Sequence, residues 1–395
     1  MPTGEQRRYD AAVVGGGLVG TAAALSLARE GRRVALIERQ PPKRIAGALG
    51  FDPRTVALTP VSRRLLERLG VWSEIPAQPI VAMRVWEQAG TAAVHFDAGS
   101  VLEEALAWVV EVGRAAEALW SRCEGIVEVF CPAEVEDIDA DAERVMISGP
   151  GVRLETDLLI AADGVSSKVC ELLHVGVRRR PEHHRAIATV ARMEGDHQGV
   201  AYQRFGATGP LALLPLDAPN HVSVIWSVAD SCAEALMALP ATGFAETLQR
   251  ASERVLGAVI EVDRRAQIRL ADMIVDDFNP VQRVLVIGDA AHTIHPLAGQ
   301  GLNLGLEDIE RITDTGVTRA DLGAAGTWRR YARGRRARAE LMTGLMGLFE
   351  NAYGIHDPIA RWIRNVGVRF IDRTPAIKNQ LMREAMGLGP IAQHR

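Results

Sequence analysis

Apolar positions recur along the chain in two rhythms, and the switches between them divide it into elements. Tyr9 to Val14 reads as a short strand, Thr21 to Glu30 as an alanine- and leucine-rich helix, and Arg33 to Ile37 as a second strand ended by Glu38. Pro60 to Leu69 has a helical spacing closed by Gly70, and Val81 to Glu87 is strand-like. Val101 to Trp120 has a largely helical pattern. Residues 124–160 read as short β segments parted by acidic turns, with Glu134, Glu136, Asp137, Asp139 and Asp141 in a solvated loop. Leu158 to Ala162 is a buried strand, followed by Asp163-Gly164 and a helix expected from Ser166. Ala186–Met193, Val200–Phe205, Leu211–Pro215 and His221–Val228 are β segments with turns between them, so the block 180–275 reads as an antiparallel sheet.

The α/β pattern returns at Arg283 to Asp308, the stretch around which the chain is organised. Val284 to Ile287 are continuously aliphatic, as a parallel strand buried on both faces requires. Pro296, Gly299 and Gly301 interrupt the chain before a helix that starts near Leu302, with Leu304, Leu306 and Ile309 on its apolar face. From there to the end the pattern is helical. The fold class is therefore mixed α/β: a Rossmann-like nucleotide-binding domain, an inserted antiparallel β-sheet and a helical C-terminus. The expected boundaries are 1–75, 106–178 and 276–325 for the nucleotide-binding domain, 76–105 and 179–275 for the inserted sheet, and 326–395 for the helical region.

Three local patterns carry chemistry. Gly15-Gly16-Gly17-Leu18-Val19-Gly20 is a G-x-G-x-x-G set between a strand and a helix. Glu38 closes the next strand, about 20 residues on, where an acid accepts from a ribose hydroxyl. Gly15 suits the tight turn, Gly17 the approach of a pyrophosphate and Gly20 close helix–strand packing. An acid at Glu38 favours FAD or NAD over NADP at this site. Asp163 and Asp289 each follow a buried strand, at the carboxyl ends where open α/β sheets bind ligands. The helix start after Gly301 offers free N–H groups and a positive dipole end to a group that develops negative charge, and Asp289 suits a sugar-like hydroxyl. Arg54 near a nucleotide site is either a ligand contact or a surface arginine.

Charge and composition narrow the class. With 45 basic and 49 acidic residues the formal charge is −4, which gives no electrostatic ground for nucleic-acid binding. Cys123, Cys131, Cys170 and Cys232 are scattered, as in a reducing compartment, and form neither a disulfide framework nor a zinc site. The run Ala11 to Ala28 lacks charge and follows Arg7-Arg8, imitating a signal peptide or a membrane span. Its glycines at 15, 16, 17 and 20 fit a strand–turn–helix instead, and a soluble cytoplasmic protein is expected. The basic loop 178–185 with His183-His184 reads as solvent-facing, and His292 and His295 as structural; no metal site is expected. Trp328 to Met346 carries Arg329, Arg330, Arg333, Arg335, Arg336 and Arg338, either a solvated face or a contact with anionic lipid headgroups. Leu345 to Phe370 reads as core packing or an amphipathic membrane-docking surface.

Together, Gly15 to Gly20 with Glu38, Ala162-Asp163-Gly164, and Gly288-Asp289 through Asn303 resemble the FAD-dependent monooxygenases typified by para-hydroxybenzoate hydroxylase. Within that group Asp52 to Leu58, Ala107 to Glu111, Gly209 to Leu216, Val224 to Ser227 and Lys378 to Gly387 resemble the ubiquinone-biosynthesis hydroxylases, over nearly the whole chain. The resemblance implies an FAD-dependent enzyme that consumes O2 and NADH or NADPH and hydroxylates a phenolic, polyprenylated ring through a flavin hydroperoxide. It implies that Gly15, Gly17 and Gly20 hold the pyrophosphate and Glu38 the adenosine ribose. Arg54 and Arg114 match arginines near the flavin, Asp163 a residue linked to both nucleotides, and Gly288-Asp289 the ribityl site. Pro296, with Gly299, Gly301, Leu302 and Asn303, would pack against the flavin ring. The flavin itself is the catalytic group, with His295 and Pro296 the loop candidates. A membrane-facing tail site and partners in a quinone-biosynthesis complex are compatible with this family. Two positions depart from its pattern: Ala162 stands for the usual glycine and Cys170 for the usual arginine. Rival readings are a flavin-dependent reductase or dehydrogenase, and a non-catalytic FAD-binding subunit of such a complex.

Overall fold

The computed structural model describes residues 7–88, 93–180, 184–206, 208–270, 272–293, 300–316, 321–354 and 374–389. Its α-helices are α1 (Leu18–Arg29), α2 (Pro60–Arg68), α3 (Val112–Arg122), α4 (Lys168–Leu172), α5 (Asp230–Ala238), α6 (Ala241–Ala251), α7 (Gln300–Gly316), α8 (Arg329–Gly354) and α9 (Pro375–Ala385).

The first layer is a five-stranded parallel sheet in the order Val284–Val286, Leu159–Ala161, Ala11–Val14, Val34–Ile37, Glu128–Phe130. Val13 pairs with Leu36 on one side and Ile160 on the other, and Ile160 pairs in turn with Leu285. Nearly every residue of the three inner strands is fully buried, in one core cluster that also holds residues of α1, α3 and α7. The sequence order reverses between Ala11–Val14 and Leu159–Ala161. That reversal opens a crevice at the carboxyl ends of these two strands.

The second layer is an eight-stranded sheet. Its order is Val259–Val262, His184–Met193, His221–Ala229, Gly209–Pro215, Val200–Gly206, Ala82–Glu87, Ala93–Asp97, with Ala266–Arg269 also paired to His184–Met193. It is mixed rather than purely antiparallel, since Val200–Gly206 runs parallel to Ala82–Glu87. The helices α5 and α6, not anticipated within this block, cover one face and bury Trp226, Phe244 and Leu248. A three-stranded sheet, Thr55–Leu58, Ala107–Glu111 and Ala77–Ile80, lies against the opposite face through Ile80, Val109, Val190 and Ala201.

Some expectations need correction. Residues 107–111 form the central strand of that small sheet, and the helix begins only at Val112. The adjacent Val109 and Val110 pair with strands on both sides, so tertiary pairing overrides a pattern that reads as helical. The acidic stretch near 137 is a strand, Asp137–Ala140, whose acids point to solvent from a sheet edge. The apolar run 11–28 divides into a strand and α1, and among the described residues no helix is long and apolar enough to cross a membrane. Residues 355–373 of the expected amphipathic tail lie outside the described residues.

Candidate active site

Gly15 leaves the strand Ala11–Val14 at φ +109°, a conformation L side chains rarely adopt, and a Cβ there would sit 2.3 Å from the Ala162 carbonyl oxygen. At Gly20 a Cβ would meet the Gly15 carbonyl oxygen at 1.9 Å. The turn and the helix thus close on each other only because both positions lack a side chain. Gly17 is the opposite case: nothing stands within 4 Å of where its Cβ would be. It is the N-cap of α1, no side chain caps the helix, and no acid lies in its first turn. Bare amides beside an open face suit a pyrophosphate. Glu38 points back into this turn, accepting from the Gly16 amide and, through its other oxygen, from the amides of Arg39 (2.8 Å) and Gln40 (3.0 Å).

The flavin end is built differently. Asp163 and Asp289 follow adjacent parallel strands. Asp163 caps α4, accepting from Ser167 Oγ (2.6 Å) and the amides of Lys168 (2.7 Å) and Val169 (3.2 Å). Burial raises its carboxyl above the usual range, against the pull of those hydrogen bonds. Asp289 is open to solvent yet closely surrounded by protein, as a residue lining a cleft is, and partial desolvation raises it too, with His292 acting in the opposite sense. A Cβ on Gly301 would stand 3.8 Å from Asp289 Oδ1, so the first turn of α7 lies beside this carboxylate. Gly288, at φ +56°, and Gly305 of α7 both pack on Val19 of α1, which joins the two ends of the site.

Asn303 fixes the start of α7. Its amide oxygen accepts from the Thr59 amide (2.9 Å) and Ser62 Oγ (2.7 Å), and its amide nitrogen donates to the Ala57 carbonyl (2.8 Å). The side chain is committed to the strand Thr55–Leu58 and to α2, leaving the backbone of this turn to face a ligand. Leu302 is half-buried beside it.

Arg54 and Arg114 both meet carboxylates. Arg54 pairs with buried Asp52 (2.6 Å); burial pushes the Asp52 carboxyl up, but Arg54 and backbone amides hold it below the usual value. Arg114 Nε donates to Glu111 (2.8 Å), which Arg44 also engages at 2.9 Å. The two arginines keep about 40 % of their side-chain surface exposed, so each is oriented by its acid rather than sequestered. His295, Pro296 and Gly299 lie outside the described residues.

Residues that the sequence did not point to form the foundation. Asp308 is fully buried and accepts from the Gly288 amide (2.9 Å), His292 Nε2 (2.8 Å) and Arg335 Nε. Arg335 also donates to the Leu304 carbonyl (2.9 Å) and pairs with Glu307 (3.2 Å). Burial pushes the Asp308 carboxyl up, but Arg335 and His292 prevail and hold it below its ordinary value. His292 stacks on Phe278, with ring centroids 5.7 Å apart, and its carboxylate partner, Asp308, is one the sequence did not imply. The arginine-rich face of α8 is therefore not uniformly solvated: Arg335 is 6 % exposed and Arg336 donates to the Asp276 carbonyl. An arginine spacing that also satisfies a solvated helix hides those that turn inward, Arg335 and, at 10 % exposed beside Glu307, Arg338. Among the described residues no cluster could hold a metal ion.

This geometry defines a dinucleotide-binding α/β protein with a carboxylate and a helix N-terminus at the far end of the crevice, an arrangement that fits FAD. The sequence profile of a family described as FAD binding domain matches residues 8–340, and the chain belongs to that family. Ubiquinone hydroxylase UbiL of Rhodospirillum rubrum is 32% identical over 401 residues, covering 96% of this chain and 91% of the relative. The 3-demethoxyubiquinol 3-hydroxylase of Escherichia coli is 30% identical over 390 residues, covering 95% and 98%. Among solved structures, p-nitrophenol 4-monooxygenase PnpA from Pseudomonas putida matches with a TM-score of 0.78 over 97% of this chain and 99% of its own, at 20% identity, a likeness of fold. The protein is an FAD-dependent monooxygenase acting on a small-molecule phenolic substrate with O2.

Proposed function

We propose that this chain hydroxylates a phenol or quinol ring bearing a polyprenyl tail, in ubiquinone biosynthesis, using NADH or NADPH and O2. The observation that carries this reading is end-to-end similarity to two hydroxylases of ubiquinone compounds, which spans the sheet layer as well as the nucleotide site. The overall reaction consumes one ring C–H, O2, NAD(P)H and a proton, and yields the ring hydroxyl, NAD(P)+ and water. FAD, when bound, would supply the redox chemistry between NAD(P)H and O2.

The protein's own groups bind, orient and exclude water. Gly15, Gly17 and Gly20 admit the pyrophosphate to the start of α1, and Glu38 accepts from the adenosine ribose. Asp289 accepts from the ribityl hydroxyls. Backbone N–H groups of Gly301, Leu302 and Asn303 present partial positive charge where negative charge develops on the flavin ring. Arg54 and Arg114, aimed by Asp52 and Glu111, would lie near the bound flavin, and Asp163-Gly164 would contact the nucleotides. The ring of the substrate sits between the nucleotide-binding segments (1–75, 106–178, 276–325) and the sheet segments (76–105, 179–275). A polyprenyl tail partitions into lipid. Leu341 on α8 and Leu381 on α9 are exposed apolar side chains (41% and 46%) that support peripheral contact of the 326–395 region with the inner face of the membrane. Such contact, together with partner proteins of a quinone-biosynthesis complex, would deliver the substrate.

The test is NADH and NADPH oxidation in air by the FAD-loaded protein, with and without a short-chain prenylphenol, with peroxide assayed in parallel. Substrate-stimulated oxidation with little peroxide and a product heavier by one oxygen atom is the expected result. Turnover without oxygen insertion would replace this reading with a reductase, and a yellow protein that oxidises neither nicotinamide would replace it with a non-catalytic flavoprotein.

A further inference from the structure

The two faces of the eight-stranded sheet differ in kind. One is sealed by α5 and α6: Tyr202 packs there against Trp86, and Arg204 donates to the Ala251 carbonyl and pairs with Glu253 at 2.9 Å. Side chains alternate along a strand, so Ala201, Gln203 and Phe205 point to the other face. That face meets the nucleotide-binding layer. Ala201 packs with Val109 and Ile80, and Ser223, in the same cross-strand row, lies 2.6 Å from Thr55 Oγ1, next in sequence to Arg54.

One row further along the pleat, about 7 Å away, Gln203 is flanked in register by Val85 and Ala212, followed by Ile225 and Ala188. All four neighbours are apolar, and Val85, Ala212 and Ile225 are only half-buried. Gln203 is 5% exposed, and its carboxamide makes no hydrogen bond among the described residues. Its amide atoms are not among the unpaired polar atoms sealed from solvent, so they open on the cleft, where a ligand can pair them. It is the polar group in an apolar row that faces the cofactor side of the cleft, and an amide both donates and accepts, matching a phenolic hydroxyl on both counts.

We propose that the Gln203 carboxamide binds the ring hydroxyl of the substrate and is the residue that makes the site specific for a phenol. This rests on the substrate class proposed above. A site that leaves a polar group unpaired when the substrate hydroxyl is missing rejects that analogue, whereas an apolar site discriminates only by shape.

The experiment titrates the FAD-loaded protein with 2-geranylphenol and with its methyl ether, following the flavin absorbance, and compares wild type with Gln203→Leu. Wild type is expected to bind the phenol at least ~10-fold more tightly than the ether. Gln203→Leu should bind the two alike, because an apolar residue of similar shape offers the hydroxyl no partner. If the Leu variant does not fold, Gln203→Met serves the same comparison. An unchanged phenol-to-ether ratio in the variant, as a purely steric pocket would give, overturns the proposal, as does equal binding by wild type. Binding of neither compound by wild type overturns the substrate class and the role of Gln203 together.

Discussion

The two ends of the nucleotide crevice solve one problem by opposite means. At the pyrophosphate end the contacts are local. Gly15, Gly17, Gly20 and Glu38 lie within 24 residues, and the fit depends on side chains that are missing. At the flavin end the geometry depends on a buried charge. Asp308 of α7 gathers the Gly288 amide, His292 and Arg335 of α8, and so fixes the turn that presents Asp289. At the first end, close packing leaves Gly15 and Gly20 no tolerance for added volume. The second end is exposed to loss of a single charge partner.

The largest effect separating the ends is steric. Gly20→Val should abolish FAD retention, since even a Cβ would lie 1.9 Å from the Gly15 carbonyl oxygen. The purified variant is expected to be colourless, with flavin content measured by absorbance; a yellow variant would show that the turn yields. Next comes Arg335→Met, which leaves Asp308 buried without its main counter-charge and should cost about 3–5 kcal/mol of stability in chemical denaturation. Asp308 is held below its ordinary carboxylate value, so its contribution is present above about pH 3.9 and is lost as pH falls through its folded-state value. Asp308→Asn should therefore remove part of the acid-induced loss of stability that wild type shows below that pH; an unchanged acid limb would assign the loss to other carboxylates. The smallest effect is Glu38→Gln, expected to weaken FAD binding by roughly tenfold, about 1.4 kcal/mol, with unfolding of the FAD-free protein little changed. Calorimetric titration of the FAD-free protein measures it, and an effect on stability alone would make Glu38 a brace of the turn.

The same contrast explains how much was legible in the sequence. The strand–glycine–helix–strand–acid pattern is short-range, each residue type has one physical reason for its place, and the parallel strands at 11, 34, 159 and 284 appear where their aliphatic runs stand. Arg335 could not be singled out among six arginines on one helix, because its partner lies 27 residues away on α7 and periodicity does not show which arginine turns inward. The strand Ala107–Glu111 was hidden for a related reason: two flanking strands decide its conformation, and both come from elsewhere in the chain. Gln203 gave no signal at all, since its significance lies in apolar neighbours on two other strands.

The strand order of the parallel sheet also sets a timetable. Val284–Val286 occupies the edge beside Leu159–Ala161, and Gly288, Asp289 and α7 all follow it. On a ribosome adding about 5–20 residues per second, the roughly 120 residues between those two strands take on the order of ten seconds to appear. During that interval the pyrophosphate turn is complete, while the edge of Leu159–Ala161 is uncovered and the flavin end does not exist. The emerging chain therefore exposes an apolar strand edge before it can close around its cofactor, and the middle third of synthesis is when it most depends on protection from aggregation.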